Sequence, residues 1–148
     1  MGRQRESRSP LKYIPFIFAL AFAPTAYSLT EAQTVQLLKA IKQVESGGDC
    51  AAMGDWECKT HTYKAIGCYQ IHLAYWADAV EYDQTIGGSY NDCFNEAYAE
   101  RVVRAYMKRY APKDATMKDM ARIHNGGPRG HKKWATCLYW AKVSKVLK

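Results

Sequence analysis

An apolar repeat with a helical period constrains the fold of this 148-residue chain more than any other feature. A tyrosine or valine recurs every fourth residue between positions 98 and 110, so these side chains share one face of a helix. They are Tyr98, Val102, Tyr106 and Tyr110. Pro112 cannot continue the helix and ends it. The chain has little of the alternating pattern typical of strands, and a mainly helical domain is therefore predicted.

Four more helices are predicted from the same period. The first begins after a Thr30 N-cap and runs to about Ser46, where Gly47 and Gly48 end it. The others are expected over residues 71–83, from Met117 to about His124, and over residues 135–147. Any short strands are expected in the segment that follows Gly48 and ends near Tyr69.

The first 28 residues have the three-part pattern of a secretory signal peptide. Four basic residues precede an apolar run at positions 13–24, which is too short to span a bilayer. Ala26-Tyr27-Ser28 then supplies small residues for cleavage, whereas a cut after Ala23 would leave Pro24 directly behind it. The alternative is a buried or membrane-surface helix. We predict a removed segment at 1–28, a domain at 29–148, secretion to the extracellular space and no stable membrane insertion.

The charge of the domain favours anionic partners without identifying one. Residues 29–148 hold 17 basic and 13 acidic side chains, a net charge of +4. The basic residues are scattered, which argues against a nucleic-acid-binding surface. Bacterial cell walls are one class of anionic partner that remains. Nothing in the sequence calls for a cofactor, and we expect a monomer.

Five cysteines lie in the domain, at positions 50, 58, 68, 93 and 137. In a secreted chain they predict structural disulfide bonds, at most two of them, with one sulfur left over. Cys50–Cys58 is the preferred pair because it would close a short loop. No metal is expected, since no pair has the short CxxC spacing of a zinc site.

Glu45 is the residue on which we base the functional hypothesis. It follows Ile41 by four residues and Leu38 by seven, so all three share one face of the first helix. Burial and the negative end of the helix dipole both disfavour the charged carboxylate, which predicts a raised pKa and a general acid. The alternative is a Glu45 side chain that bends to solvent or pairs with Lys42 or Lys64.

Cleavage of a glycosidic bond needs a second carboxylate, and three acids follow Glu45. Asp55 is preferred because Gly54 before it allows the chain to bend. Glu57 is the reserve candidate. Asp49 is too close to the end of the helix to reach across a sugar. Each of these acids could equally be a solvated loop residue.

Candidate substrate-binding residues are aromatic, amide or imidazole side chains near the ends of the predicted helices. Tyr69 and Gln70 lie at a loop-to-helix junction, where a cleft wall is plausible. Tyr75, at helical spacing, is also a candidate core residue. The remaining two are His124, which could instead be a hydrogen-bonded core histidine, and Asn125 in the turn after it.

The chain resembles the invertebrate-type lysozymes, the destabilase-like family, in several segments that follow one another in the same order. The segments are Glu45-Ser46-Gly47-Gly48, Gly67-Cys68-Tyr69-Gln70-Ile71 with Tyr75-Trp76, Tyr106-Met107-Lys108-Arg109-Tyr110, residues 121–128 with His-Asn-Gly-Gly-Pro, and Tyr139-Trp140. The chain departs from the family in having few cysteines. His131 stands where a cysteine is common, Cys68 stands where an aromatic residue is common, and the segment between Glu45 and Gln70 is longer than usual.

The resemblance implies an α+β, mainly α, lysozyme-like fold with about five helices and a small β-hairpin beside the cleft. It implies a bacteriolytic glycoside hydrolase that cuts the β-1,4 bond between N-acetylmuramic acid and N-acetylglucosamine in peptidoglycan, with Glu45 as the acid. Two other functions stay open at this point. One is a peptidoglycan- or chitin-binding protein that does not cut. The other is an isopeptidase with Ser46 or Ser144 as nucleophile.

Overall fold

The computed structural model of the protein describes residues 29–148, so the predicted signal segment lies outside the described residues. Five α-helices are present: α1 (Glu31–Ser46), α2 (Leu73–Tyr82), α3 (Glu96–Tyr110), α4 (Met117–Gly126) and α5 (Cys137–Val146). Three strands form one sheet: β1 (Met53–Glu57), β2 (Thr62–Ile66) and β3 (Ile71–His72). Short 3-10 helices cover Tyr90–Phe94, Gly130–Lys132 and Trp134–Thr136. The prediction of a mainly helical α+β fold is confirmed.

Helix α1 begins and ends where the sequence predicts. The Thr30 hydroxyl accepts the backbone N–H of Gln33, and the Gln33 side chain accepts the backbone N–H of Thr30 at 2.9 Å. This reciprocal cap satisfies two backbone donors that the first turn leaves unpaired. Gly47 ends the helix with φ 66°, a left-handed conformation that glycine adopts without a steric penalty. Glu45 therefore sits in the last turn.

The helices pack around α3 and α4. Val102 and Val103 are fully buried on α3, which packs against α2 and α4. Helix α1 buries Leu37 and Ile41 and packs against α4 and α5. This arrangement brings the C-terminal end of α1 next to α4 and α5, on which the candidate site depends. Within residues 29–148, no helix has the length and apolar character required to cross a membrane.

The sheet is antiparallel in the order β1-β2-β3, with Gly54 opposite Ala65 and Ala65 opposite His72. The β1–β2 hairpin lies where short strands were expected. Strand β3 is an addition, because Ile71 and His72 were predicted to begin the second helix. The Tyr90 hydroxyl joins this strand to the 3-10 helix by donating to the Ile71 carbonyl at 2.7 Å.

The five cysteines are free thiols in this structure, so the expected Cys50–Cys58 bond is absent. Cys50 instead contacts Cys68: burial and the Cys50 thiol together raise the pKa of Cys68 to about 12. Two hydrogen bonds hold these segments together, from the Ser46 hydroxyl to the Cys68 carbonyl at 2.9 Å and from Gly67 N–H to the Ala52 carbonyl at 2.9 Å. Cys58 is exposed on the hairpin.

Gly67 is required where the β2–β3 turn meets the 3-10 helix. A Cβ at this position would lie 2.2 Å from the Cys93 carbonyl oxygen, and the residue has φ 75°. We expect Gly67→Ala to lower the free energy of unfolding by about 1–3 kcal/mol more than the same substitution at a control glycine, as measured by urea denaturation. Gly87→Ala is that control, because Gly87 also has positive φ (56°) but no atom within 4 Å of its Cβ position. Equal losses in the two variants would refute the steric argument.

Candidate active site

The Glu45 carboxyl lies at the junction of three helices. Its Oε1 atom accepts a hydrogen bond from the Tyr139 hydroxyl on α5 at 2.7 Å and lies 3.4 Å from His124 Nε2 on α4. The side chain is 19% exposed, while that of His124 is 4% exposed. Helical phase thus correctly placed Glu45 on the inner face of α1. The carboxyl is mostly buried, but its exposed part can contact a bound ligand.

The pKa of Glu45 lies below its usual value, so the prediction of a raised pKa is wrong. Burial is the largest single influence and does raise the pKa, as expected. The hydrogen bond and charge of His124, the hydrogen bond from Tyr139 and the charge of Lys142 all favour the ionised form and together outweigh burial. None of these partners is visible from the spacing along α1. In the free protein, Glu45 is accordingly ionised at neutral pH.

His124 connects Glu45 to an aromatic stack. Its Nδ1 atom lies 3.0 Å from the Tyr75 hydroxyl. Nε2 faces Glu45 and Nδ1 faces the Tyr75 hydroxyl, so the imidazole ring bridges the two side chains. The Tyr75 ring stacks on Tyr106 with 3.6 Å between centroids and 15° between planes. His124 therefore contacts the Glu45 carboxyl directly, and Tyr75 holds His124 in place.

Tyr139 also belongs to the site, although no sequence pattern singled it out as a site residue. The residue is 8% exposed. A buried network fixes the start of its helix: Arg122 Nε on α4 donates to the Thr136 hydroxyl at 2.8 Å. The Thr136 hydroxyl in turn donates to the Gly130 carbonyl at 2.8 Å. The hydroxyl of a buried tyrosine requires a hydrogen-bond partner, and this requirement is the signal that could have pointed to Tyr139.

Asp55 lies on β1, and its carboxylate pairs with His72 on β3. The Asp55 Oδ2 atom is 2.8 Å from His72 Nε2, and the two side chains are 66% and 47% exposed. Asp55 has φ 52°, an uncommon conformation for a residue with a side chain. The contact with His72 was not predicted.

The other two acids have local partners. Glu57 Oε2 forms an ion pair with Lys64, and that hydrogen bond lowers the pKa of Glu57. Asp49 accepts the backbone N–H of Ala51 at 2.9 Å and so stabilises the turn after α1. Asp55 is thus distinguished from Glu57 by its backbone conformation and by a histidine partner in place of a lysine.

The remaining candidate binding residues have different surroundings. Tyr69 is 1% exposed and packs in the core, so the expectation that it forms a cleft wall is not met. The Gln70 amide donates to the Gly67 carbonyl at 2.9 Å and supports the β2–β3 turn, with the side chain close to Gly54. Asn125 is exposed directly after His124. Of the five candidates, His124 lies next to Glu45, Tyr75 contacts His124, and Asn125 directly follows His124 in the chain.

The serines proposed as alternative nucleophiles are hydrogen-bonded to backbone. The Ser46 hydroxyl donates to the Cys68 carbonyl and accepts the Gly48 N–H at 3.2 Å. The Ser144 hydroxyl donates to the Ala141 carbonyl at 3.1 Å. Neither contact supplies the base that would activate a serine. Across residues 29–148, no three histidine, cysteine or acidic side chains are grouped as a metal site would require.

A cavity of about 720 Å³ lies at the opposite end of α1, beside Glu31, Arg104 and Lys108. Glu31 is paired there with Arg104 at 2.8 Å. None of the candidate catalytic carboxylates lines this cavity. The Glu45 carboxyl, by contrast, lies at the other end of α1, in contact with α4 and α5.

The destabilase family model matches residues 34–146. The chain is 37% identical over 131 residues to a lysozyme of Magallana gigas, and the match covers 84% of this chain and 89% of that protein. The chain belongs to the destabilase family, the invertebrate-type lysozymes. It is therefore a glycoside hydrolase of the lysozyme class, as the sequence motifs implied.

Solved lysozymes share its fold. The inhibitor-bound lysozyme from Meretrix lusoria is 30% identical with a TM-score of 0.62, and the match covers 81% of this chain and 92% of that chain. The Tapes japonica lysozyme is 27% identical with a TM-score of 0.61, over 84% of this chain and 94% of that one. The lysozyme-like fold implied by the sequence is confirmed.

Removing the Tyr139 hydroxyl tests the electrostatics of the site. Because that hydroxyl hydrogen-bonds to the ionised carboxylate, we expect Tyr139→Phe to raise the pKa of Glu45. A ¹³C NMR titration of the side-chain carboxyl measures it. Tyr110→Phe is the control, since Tyr110 donates to the remote Asp78 at 2.7 Å. A Glu45 pKa that is unchanged or lower in Tyr139→Phe contradicts the assignment.

Proposed function

We propose that this lysozyme hydrolyses the β-1,4 bond between N-acetylmuramic acid and N-acetylglucosamine in bacterial peptidoglycan, with Glu45 as general acid and Asp55 as the second carboxylate. The observation that carries the proposal is the Glu45 carboxyl, held on one oxygen by Tyr139 and His124 and still partly open to solvent. The relatives and structural neighbours named lysozymes support the reaction class.

The contacts of Glu45 support a proposal for which carboxyl oxygen would deliver the proton. Among the described residues, the polar contacts of the carboxyl with Tyr139 and His124 both fall on Oε1. In the proposal, Oε2 carries the proton and faces the glycosidic oxygen. Two contacts on one oxygen fix the carboxyl plane, which is the positioning that a general acid needs.

The lowered pKa of Glu45 requires that the proton be taken up before the reaction. A bound sugar would displace water from the exposed part of the carboxyl, and this loss of hydration favours the protonated form. His124 and Tyr139 stay on Oε1, which leaves Oε2 free to take up the proton. In the proposal, Glu45 therefore becomes protonated on Oε2 when the substrate is bound, and it transfers that proton to the glycosidic oxygen.

We also propose how the protein is processed and where it acts. Residues 1–28 are a signal peptide, the enzyme is secreted as a monomer, and peptidoglycan is its partner. Oxidation in that compartment would join Cys50 to Cys68, since these thiols are in contact and their segments are hydrogen-bonded together. Tyr75, His124 and Asn125 border the substrate near Glu45.

Glu45→Gln tests the acid role. An amide at this position cannot donate the proton, so lysis of a bacterial cell-wall suspension should fall by roughly 10²–10⁴-fold. Glu31→Gln is the matched control on the first turn of the same helix, and its activity should be unchanged. Binding to insoluble peptidoglycan is measured in parallel. Full lytic activity in Glu45→Gln removes the acid role, whereas a wild-type protein that binds but does not lyse identifies a glycan-binding protein.

Asp55→Asn and Glu57→Gln together test the second carboxylate. The expected result is a large loss of lysis in Asp55→Asn, on the order of 10²-fold or more, because the developing positive charge on the sugar loses its anionic partner. Glu57→Gln should keep its activity, since that carboxylate is paired with Lys64. The opposite pattern assigns the second role to Glu57.

A further inference from the structure

The backbone at Asp55 departs from that of an ordinary strand residue. Alternation along β1 would place Asp55 on the opposite face from Gly54, whose row across the sheet continues through Ala65 to His72. With φ 52°, Asp55 is not extended, and its Oδ2 atom lies 2.8 Å from His72 Nε2. A strained conformation of this kind persists only where surrounding contacts stabilise it.

His72 occupies a fixed place from which to hold the carboxylate. It is the last residue of β3 and directly precedes α2, and its backbone is extended with φ −84° and ψ 153°. The neighbouring Ile71 is 1% exposed, which anchors the short strand in the core. The imidazole therefore extends from a rigid junction of sheet and helix.

Asp55 and Glu57 differ in the side chain with which each is paired on the sheet. Lys64, on the strand between β1 and β3, is paired with Glu57. The Lys64 ammonium sets a full positive charge against Glu57, whereas an imidazole N–H can hold a carboxylate by a hydrogen bond. Asp55 can thus be held in place while it keeps the charge that an oxocarbenium-like transition state requires.

We propose that His72 is a positioning residue for the reaction, which orients the Asp55 carboxylate through its Nε2–H hydrogen bond. This inference rests on the proposed role of Asp55 as second carboxylate. His72 acts through Asp55 and makes no contact with the reacting atoms. Its removal should therefore lower kcat and leave KM nearly unchanged.

The experiment measures kcat and KM of the full domain on a soluble peptidoglycan glycan-strand fragment. We expect His72→Ala to lower kcat by about 10- to 100-fold, the loss typical of a misplaced catalytic group. His72→Gln keeps an N–H donor at a similar distance from Cα and should restore part of the rate. In the Asp55→Asn background, His72→Ala should cause no further loss, because the residue it positions is already disabled.

The control is His61→Ala. His61 is exposed in the turn between β1 and β2, with its ring 6.1 Å from that of Trp56, and its removal should leave kcat unchanged. Wild-type kcat in His72→Ala overturns the inference while leaving the role of Asp55 intact. Additive losses in the double variant overturn it as well, because His72 would then act independently of Asp55. Full activity in Asp55→Asn alone refutes the proposed second carboxylate, and the positioning role with it.

Discussion

The contact between Glu45 and its two partners, Tyr139 and His124, links the fold of this protein to its proposed chemistry. A carboxylate at the C-terminal end of α1 faces the negative end of the helix dipole and loses hydration by burial, and both effects disfavour its charge. Tyr139 and His124 compensate on a single oxygen. Because one donor comes from α5 and the other from α4, the site requires that both helices pack against α1.

That packing depends on groups remote from the carboxyl. Arg122 on α4 holds Thr136 at the start of α5, and Gly130 fits between them because a Cβ there would lie 1.9 Å from the Arg122 carbonyl oxygen. The Tyr75–Tyr106 stack fixes the ring that contacts His124. Substitutions in this network would therefore alter the Glu45 pKa without touching the carboxyl.

The two carboxylates of the proposed site are held by different means. Packed helices enclose Glu45, and the structure limits its solvent contact. Asp55 is exposed on a three-stranded sheet, where a strained backbone and one histidine contact set its orientation. Exposure keeps the Asp55 carboxylate in contact with water, whereas the enclosure of Glu45 allows a bound ligand to change the protonation of Glu45. This difference in environment is what a glycosidase requires of its two acids.

The sequence by itself determined the five helices, the inward position of Glu45 and the family, because helical period, caps and local motifs involve residues close together in the chain. It could not determine the pKa of Glu45, the core position of Tyr69 or the Asp55–His72 pair. Those depend on residues up to 94 positions apart that meet only in the folded chain. The raised pKa expected for Glu45 was wrong for that reason: burial is visible in the spacing of α1, but the donors that oppose it are on α4 and α5.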